Sequence, residues 1–152
     1  MKVRDVMTVK VQTCGADATL QTAARIMWSH DCGAVPVVDE ENRVVGMLTD
    51  RDVAMTACVQ GHALSELHVR AAMSRQIFTC GPDASLEEAE RTMREHGVRR
   101  LAVVGEDYRL VGILSLDDIA REAVEEENLK FPAVGFRDVG RTLAATVRAR
   151  PS

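Results

Sequence analysis

Two short segments of the 152-residue sequence place a hydroxyl and a carboxylate three residues apart. Thr49 precedes Asp52 and Ser115 precedes Asp118, each just after a run of β-branched and aliphatic residues. A hydroxyl at a helix N-terminus lies beside unpaired backbone N–H groups and the positive end of the helix dipole, which suits a phosphate. A carboxylate in the same turn can accept hydrogen bonds from the two hydroxyls of a ribose. The spacing therefore fits a nucleotide.

The same residues have a simpler interpretation as helix caps. Ser or Thr followed three residues later by an acidic residue is a common start signal for a helix. A cap of this kind, with the carboxylate near the dipole, stabilises a helix by about 1 kcal/mol. Taken alone, Thr49, Asp52, Ser115 and Asp118 leave both interpretations open.

The two segments belong to a duplication. An offset of 66 aligns residues 3–54 with residues 69–120 without a gap, and 22 of the 52 positions are identical. Asp17-Ala18-Thr19-Leu20 and Asp83-Ala84-Ser85-Leu86 predict helix starts, and Ser85 with Glu88 has the spacing of a capping box. A helix with one apolar stripe follows in each copy.

Each copy then continues with a predicted β-hairpin and a second helix. The hairpin strands are expected at 34–38 with 43–48, and at 101–104 with 109–114. Lead-in strands at 9–13 and 77–79 complete a β-α-β-β-α unit. A unit of about 60 residues buries too little surface to be comfortably stable alone. We therefore predict an α+β fold in which the two units pack about a pseudo-twofold axis and leave two equivalent clefts.

Composition excludes several functional classes. A net charge of -4 argues against a nucleic-acid partner, which needs a basic face. No apolar run approaches the roughly 18 residues of a membrane span, and the first residues lack a signal peptide. We therefore expect a cytoplasmic protein with no membrane partner. Its four cysteines form no C-x-x-C pair and are expected to be reduced.

An ordered set of short motifs in both copies resembles the cystathionine-β-synthase (CBS) domain. The set comprises Asp-Ala-Thr-Leu, Ala-Val-Pro-Val-Val-Asp and Val-Val-Gly-Met-Leu-Thr-Asp-Arg-Asp, with their partners 66 residues later. The resemblance, over residues 3–120, implies a CBS pair (Bateman module) of the stand-alone prokaryotic type. It implies a regulatory sensor that binds an adenine nucleotide and changes inter-repeat or dimer geometry, and that commonly forms homodimers through its helices. An unidentified protein partner would receive the signal.

The resemblance also assigns roles to residues. It implies that Asp52 and Asp118 hold ribose and that Thr49 and Ser115 contact phosphate. Backbone and apolar groups of the other copy would hold the adenine: near Thr8, Cys32, Ala34 and Pro36 for the Asp118 cleft, and near Ser74, Val98, Arg100 and Ala102 for the Asp52 cleft. AMP, ADP or ATP are the expected ligands, with NAD and S-adenosylmethionine as alternatives.

The two copies differ around these positions. Arg99-Arg100 replaces Gly33-Ala34, and Leu116-Asp117 replaces Asp50-Arg51. Arginines near a phosphate add charge-assisted hydrogen bonds. Arg51, Arg99 and Arg100 could therefore distinguish ligands by their number of phosphates. The alternative is that they are surface residues that only increase solubility. Ala102 replaces Pro36, which changes the predicted adenine pocket. We therefore expect unequal affinities.

Other functional readings are weaker. His30 and His96 are expected to cap helix ends, and with Cys14 and Cys80 they suggest a redox- or metal-responsive protein, although their spacing matches no zinc motif. A structural interaction module with degenerate pockets is a further alternative. No catalytic motif is present, so we predict that the chain is not an enzyme.

We place the first repeat at 1–60 and the linker with the second repeat at 61–127. The remaining residues, 128–152, form a C-terminal extension that is either partly disordered or docked through Phe131, Val134 and Phe136. Arg148–Ser152 has the composition of a frayed end.

Overall fold

The computed structural model describes residues 1–148, which form two compact units. The first-repeat unit contains Lys10–Ile77 and Glu106–Leu110. The second-repeat unit contains Met1–Val9, Phe78–Gly105 and the chain from Val111 onward. The predicted boundary between 60 and 61 therefore differs from the observed division, because the first nine residues pack with the second repeat and the linker packs with the first.

The elements alternate as expected for a duplicated α+β unit, and the fold class is confirmed. In chain order they are α1 (Val3–Val6), α2 (Leu20–Ser29), β1 (Ala34–Val38), β2 (Val44–Thr49), α3 (Asp50–Gln60), α4 (Val69–Ala72), β3 (Thr79–Cys80), α5 (Leu86–His96), β4 (Arg100–Val104), β5 (Leu110–Ser115), α6 (Leu116–Glu125) and α7 (Phe136–Arg148).

Short sheets form the inner layer of each unit. Strands β1 and β2 are antiparallel, with Ala34 opposite Thr49 and an irregularity between Val37 and Val38. In the second-repeat unit, β3 pairs in parallel with β4, and the strand order is β3-β4-β5. The predicted lead-in strand at 9–13 is wrong: residues 9–13 form no strand, and the next residue, Cys14, forms an isolated bridge with Val37. The second lead-in strand is shorter than predicted and begins at Thr79.

The apolar stripe of each first helix packs onto its sheet. Leu20, Ala23 and Met27 of α2 are buried, as are Leu86, Ala89 and Met93 of α5. The predicted capping box is confirmed, because the Ser85 hydroxyl accepts from the Glu88 N–H and the Glu88 carboxylate accepts from the Ser85 N–H. Burial of these side chains gives each unit its own core.

Two equivalent sets of long-range contacts hold residues 3–8 and 69–74 in place, and we call these two stretches the lead-in segments. The Val3 N–H donates to the Ala84 carbonyl at 2.9 Å, and the Val69 N–H donates to the Ala18 carbonyl at the same distance. Beside them, Arg4 pairs with Asp83 and Arg70 pairs with Asp17. The repeated contacts explain why each lead-in segment joins the helix start of the other copy.

The C-terminal extension contains a helix that the sequence did not predict. Helix α7 packs against α5 and α6, and Val134 before it is 2% exposed within the core of this unit. Phe131 and Phe136, the other predicted docking residues, are exposed. Residues 149–152 of the predicted frayed end lie outside the described residues. No helix among residues 1–148 is both long enough and apolar enough to cross a membrane.

Candidate functional site

The first candidate site lies where β2 ends and α3 begins. The Thr49 hydroxyl accepts from the Asp52 N–H at 3.2 Å, and Asp52 Oδ2 accepts from the Thr49 N–H at 2.9 Å. This reciprocal pair is a complete capping box, and both residues are partly buried. The structure therefore shows the capping role directly. The cap uses Asp52 Oδ2, so Oδ1 can accept a hydrogen bond from a ligand hydroxyl.

The second candidate site repeats this geometry at the start of α6. The Ser115 hydroxyl accepts from the Asp118 N–H at 3.1 Å and approaches Asp118 Oδ2 at 2.6 Å, while the Ser115 N–H donates to the same oxygen at 2.9 Å. The Asp118 side chain is only 12% exposed, and Arg121 Nη1 lies 3.5 Å from its Oδ1. Sequence reasoning missed Arg121, although its i,i+3 spacing from Asp118 was visible.

Glycines bring a neighbouring backbone segment close to each site. A Cβ on Gly46 would lie 2.7 Å from Met73 Sδ and 3.0 Å from the Ser74 carbonyl oxygen. A Cβ on Gly112 would lie 2.7 Å from Met7 Sδ and 3.0 Å from the Thr8 carbonyl oxygen. Ser74 accordingly pairs with Met47 on β2, and Thr8 pairs with Ile113 on β5. The structure thus brings Ser74 to the Asp52 unit and Thr8 to the Asp118 unit.

The remaining predicted adenine residues lie on the first strand of each hairpin. Ala34 is the register partner of Thr49, and Pro36 is opposite Met47, so both lie in the unit that contains Asp52. The Cys32 N–H donates to the Met27 carbonyl in the same unit. Val98 and Arg100 lie correspondingly in the unit of Asp118. Their predicted role across the repeats stays a prediction.

The three candidate arginines have different surroundings. Arg51 is exposed on the first turn of α3, and Arg100 is half-buried at the start of β4. Arg99 Nε donates to Thr146 Oγ1 on α7 at 3.2 Å, and the Arg99 carbonyl accepts from the Leu116 N–H at 2.9 Å. The Arg99 side chain is therefore held against α7. That these arginines distinguish ligands by their number of phosphates stays a prediction for all three.

The cysteines and histidines of the redox or metal alternative have different surroundings. Cys14 is buried and Cys80 half-buried, and burial raises the pKa of both thiols to about 11. His30 caps α2, where its Nδ1 lies 3.0 Å from the Ile26 carbonyl oxygen, and the His96 ring stacks on Phe78. Residues 1–148 contain no cluster of three or more His, Cys, Asp or Glu side chains that could hold a metal.

The chain is thus a tandem repeat in which each copy has a β-hairpin followed by a helix that begins with a hydroxyl–carboxylate capping box. The family model of the CBS domain matches this chain twice, over residues 3–56 and 69–125. The chain belongs to the CBS-domain family as a CBS pair, and such pairs are generally regulatory rather than catalytic.

Sequence and structure comparisons agree with this assignment. The chain is 40% identical over 126 residues to the CBS domain-containing protein YhcV of Bacillus subtilis, covering 83% of this chain and 88% of that protein. It is 37% identical over 128 residues to Hypoxic response protein 1 of Mycobacterium tuberculosis, covering 84% and 89% of the two chains.

Two crystal structures add information on ligands of related proteins. A structure of Hypoxic Response Protein I with two coordinated zinc ions has a TM-score of 0.72, is 37% identical, and covers 80% of this chain and 98% of that one. The CBS pair of protein MJ0100, in complex with 5′-methylthioadenosine and S-adenosyl-L-methionine, has a TM-score of 0.72 at 26% identity, covering 80% and 94%.

Proposed function

We propose that this CBS pair binds an adenosine-type small molecule at the Thr49–Asp52 and Ser115–Asp118 capping boxes, and that it is a regulatory module rather than an enzyme. The observation that carries the proposal is the pair of equivalent, partly buried capping boxes. In the Asp52 box the cap engages only one carboxylate oxygen. The other can accept from a ribose hydroxyl, while the helix start offers N–H groups and dipole to an anionic ligand.

The complex of MJ0100 supports the ligand class. Methylthioadenosine and S-adenosylmethionine share adenine and ribose but carry no phosphate, so the ribose contact is the common element. AMP, ADP, ATP and NAD contain the same adenosine group and would add phosphates near Thr49 and Ser115. The group that all these compounds share is adenosine, so the proposed sites recognise adenosine, and the group attached to its 5′ position sets the preference among ligands.

The two sites should differ in affinity. Arg121 lies beside Asp118, whereas Met55 occupies the equivalent position 66 residues earlier, beside Asp52. Arg121 competes with a ribose hydroxyl for Asp118 Oδ1, and it offers a positive charge to a phosphate. We therefore propose that the Asp118 site discriminates in favour of phosphorylated ligands, while the Asp52 site accepts neutral or cationic 5′ groups as well.

A thermal-shift screen with AMP, ADP, ATP, NAD, methylthioadenosine and S-adenosylmethionine tests the proposal. A ligand at one hundred times its Kd stabilises the fold by about 2.7 kcal/mol, which raises the Tm of a chain of this size by roughly 5–10 °C. D52A and D118A should each reduce the rise. The matched control is E88A, because Glu88 forms the same capping box at α5. The proposal fails if no adenosine compound raises the wild-type Tm.

A zinc-dependent role is the second candidate, and the zinc-bound structure of the 37%-identical Hypoxic Response Protein I favours it. Zinc binds thiolate, and the raised pKa values of Cys14 and Cys80 oppose formation of thiolate in this chain. Stoichiometric zinc in the purified protein would favour this candidate. We also propose that the chain forms a homodimer, as the family resemblance implies.

A further inference from the structure

The outer face of α7 combines apolar and basic residues. Four exposed positions lie within about 60° of one another around the helix, and three of them carry large apolar side chains: Phe136, Gly140, Leu143 and Val147. The three apolar residues are 52%, 44% and 53% exposed. Arg137 and Arg141 lie along one edge of this apolar stripe, and both are exposed. Helix α7 therefore presents apolar area and positive charge together on its free side.

Polar contacts on the inner face of α7 fix which side of the helix points outward. The Thr142 hydroxyl donates to Glu90 Oε1 at 3.0 Å and accepts from Arg94 Nη1 at 3.0 Å. Thr146 accepts from Arg99 Nε at 3.2 Å. Thr142 is fully buried and Glu90 is only 4% exposed. A rotation of α7 that buried its apolar stripe would break these bonds and leave buried polar groups unpaired, which is costly. The apolar stripe therefore stays on the outside.

Charge is distributed unevenly along the chain. Residues 1–127 contain 14 basic and 22 acidic residues, whereas residues 128–152 contain five basic residues and one acidic residue. That acidic residue, Asp138, is half-buried away from the apolar stripe, and it lies 4.0 Å from Arg141. Just before α7, Phe131 is 84% exposed and Lys130 Nζ lies 5.6 Å from the centre of its ring. Basic and apolar groups thus occur together in the C-terminal extension, while the rest of the chain is acidic.

This combination fits an anionic lipid surface better than other partners. The outer side of a helix is convex, and a lipid surface accepts it without a complementary groove. Apolar side chains can enter the boundary between headgroups and acyl chains, while arginines at the edge of the stripe reach the phosphates. Contact of α7 with α7 of a second copy would instead bring arginines of like charge together.

We propose that the outer face of α7 docks this chain peripherally on membrane surfaces that contain anionic phospholipids. Phe136, Leu143 and Val147 supply the apolar contact, and Arg137 and Arg141 supply the attraction to phosphate. We expected no membrane partner because no segment can span a bilayer, but peripheral docking requires only an amphipathic surface of this kind. The docking does not depend on nucleotide binding, so it goes beyond the proposed function.

Co-sedimentation of the full chain with vesicles tests the docking. Wild type should bind vesicles of phosphatidylcholine with about 30% phosphatidylglycerol and should not bind phosphatidylcholine alone. Binding should weaken as salt rises from roughly 0.1 M to 0.5 M, because salt screens the attraction of arginine for phosphate. L143E should abolish binding. The matched control V59E places the same charge at an exposed valine of α3 and should bind as the wild type does.

A second pair of variants tests the basic edge of the stripe. Each arginine near an anionic surface strengthens partitioning about fivefold, so R137Q/R141Q should weaken binding roughly 25-fold. The control R25Q/R75Q removes the same charge from two exposed positions outside α7 and should retain more than half of the wild-type affinity. Circular dichroism verifies that each variant is folded.

A tryptophan on α7 reports whether the apolar stripe enters the lipid. Trp28 is the chain's single tryptophan, so W28F/F136W carries its only indole on the outer face of α7. Its emission should shift to shorter wavelength with phosphatidylglycerol vesicles and should stay unchanged with phosphatidylcholine vesicles or with soluble poly-L-glutamate.

Several results would overturn the proposal. These are failure of the wild type to bind anionic vesicles, equal binding to phosphatidylcholine, and wild-type binding by L143E. An equal emission shift with poly-L-glutamate would assign the face to an acidic protein instead. A lower sedimenting mass of L143E than of the wild type, without vesicles, would assign it to contact between copies. No nucleotide is used, so these results are separate from those of the ligand screen.

Discussion

The residues at the two candidate sites have a structural role, and we propose that they also bind the ligand. Thr49 and Asp52 complete a capping box, as do Ser115 and Asp118. The sequence predicted both the cap and a nucleotide contact, and the geometry is compatible with both because each cap leaves acceptor capacity on its carboxylate. What distinguishes the two sites, Arg121, depends on a side-chain conformation that residue spacing alone does not determine.

The thiols of Cys14 and Cys80 should make the free energy of unfolding depend on pH. Burial raises their pKa from 9.0 to about 11 in the folded protein, so the folded state holds these protons after the unfolded state has lost them. The free energy of unfolding should therefore be unaffected by these thiols below about pH 9 and should fall as the pH rises from about 9 to about 11.

Denaturant titrations between pH 8 and 11 measure this fall as a difference between variants. Replacement of Cys14 and Cys80 by alanine should flatten the alkaline slope, whereas C58A, at an exposed position, should leave it unchanged. An equal slope in all three proteins would show that the buried thiols ionise normally and would revive the redox reading.

At the scale of elements, the sequence predicted those helices and strands that local residue patterns determine. The hairpins and the helix starts at Leu20 and Leu86 follow from alternation and capping, and they lie within one or two residues of the predicted bounds. The strand predicted at 9–13 does not form. The placement of residues 3–8 and 69–74 was not predicted, because it depends on bonds between residues about 80 or 50 positions apart, such as Val3 with Ala84 and Val69 with Ala18. Helix α7 was missed because threonines lie on its buried face.

Gly46 and Gly112 show how two elements meet at each site. A matched pair of substitutions tests this contact: G46A should lower the free energy of unfolding by about 1–3 kcal/mol, because the new methyl group meets Met73 and the Ser74 carbonyl. G15A should change it by less than about 0.5 kcal/mol, because no atom lies within 4 Å of its Cβ position. Urea denaturation compares them. Equal stabilities would mean that the lead-in segment is free to move away from β2.

At the scale of the whole molecule, a duplicated sequence has produced two units with unequal surroundings. The family, the α+β class and the two capping boxes could be predicted from the sequence because they are repeated in it. The packing of α7 on α5 and α6 could not be predicted, because α7 has no counterpart in the first copy. Helix α7 covers the α5 and α6 face of the second repeat, whereas Trp28 on α2 of the first repeat is 90% exposed.

The most direct test of the central claim is isothermal titration calorimetry of the wild type, D52A, D118A, E88A and the D52A/D118A double variant with S-adenosylmethionine and, in parallel, AMP. We predict saturable binding to the wild type and to E88A, loss of one class of site in each single variant, and no binding to the folded double variant. Binding of either compound to the folded double variant with wild-type affinity would contradict the assignment of the ligand sites to Asp52 and Asp118.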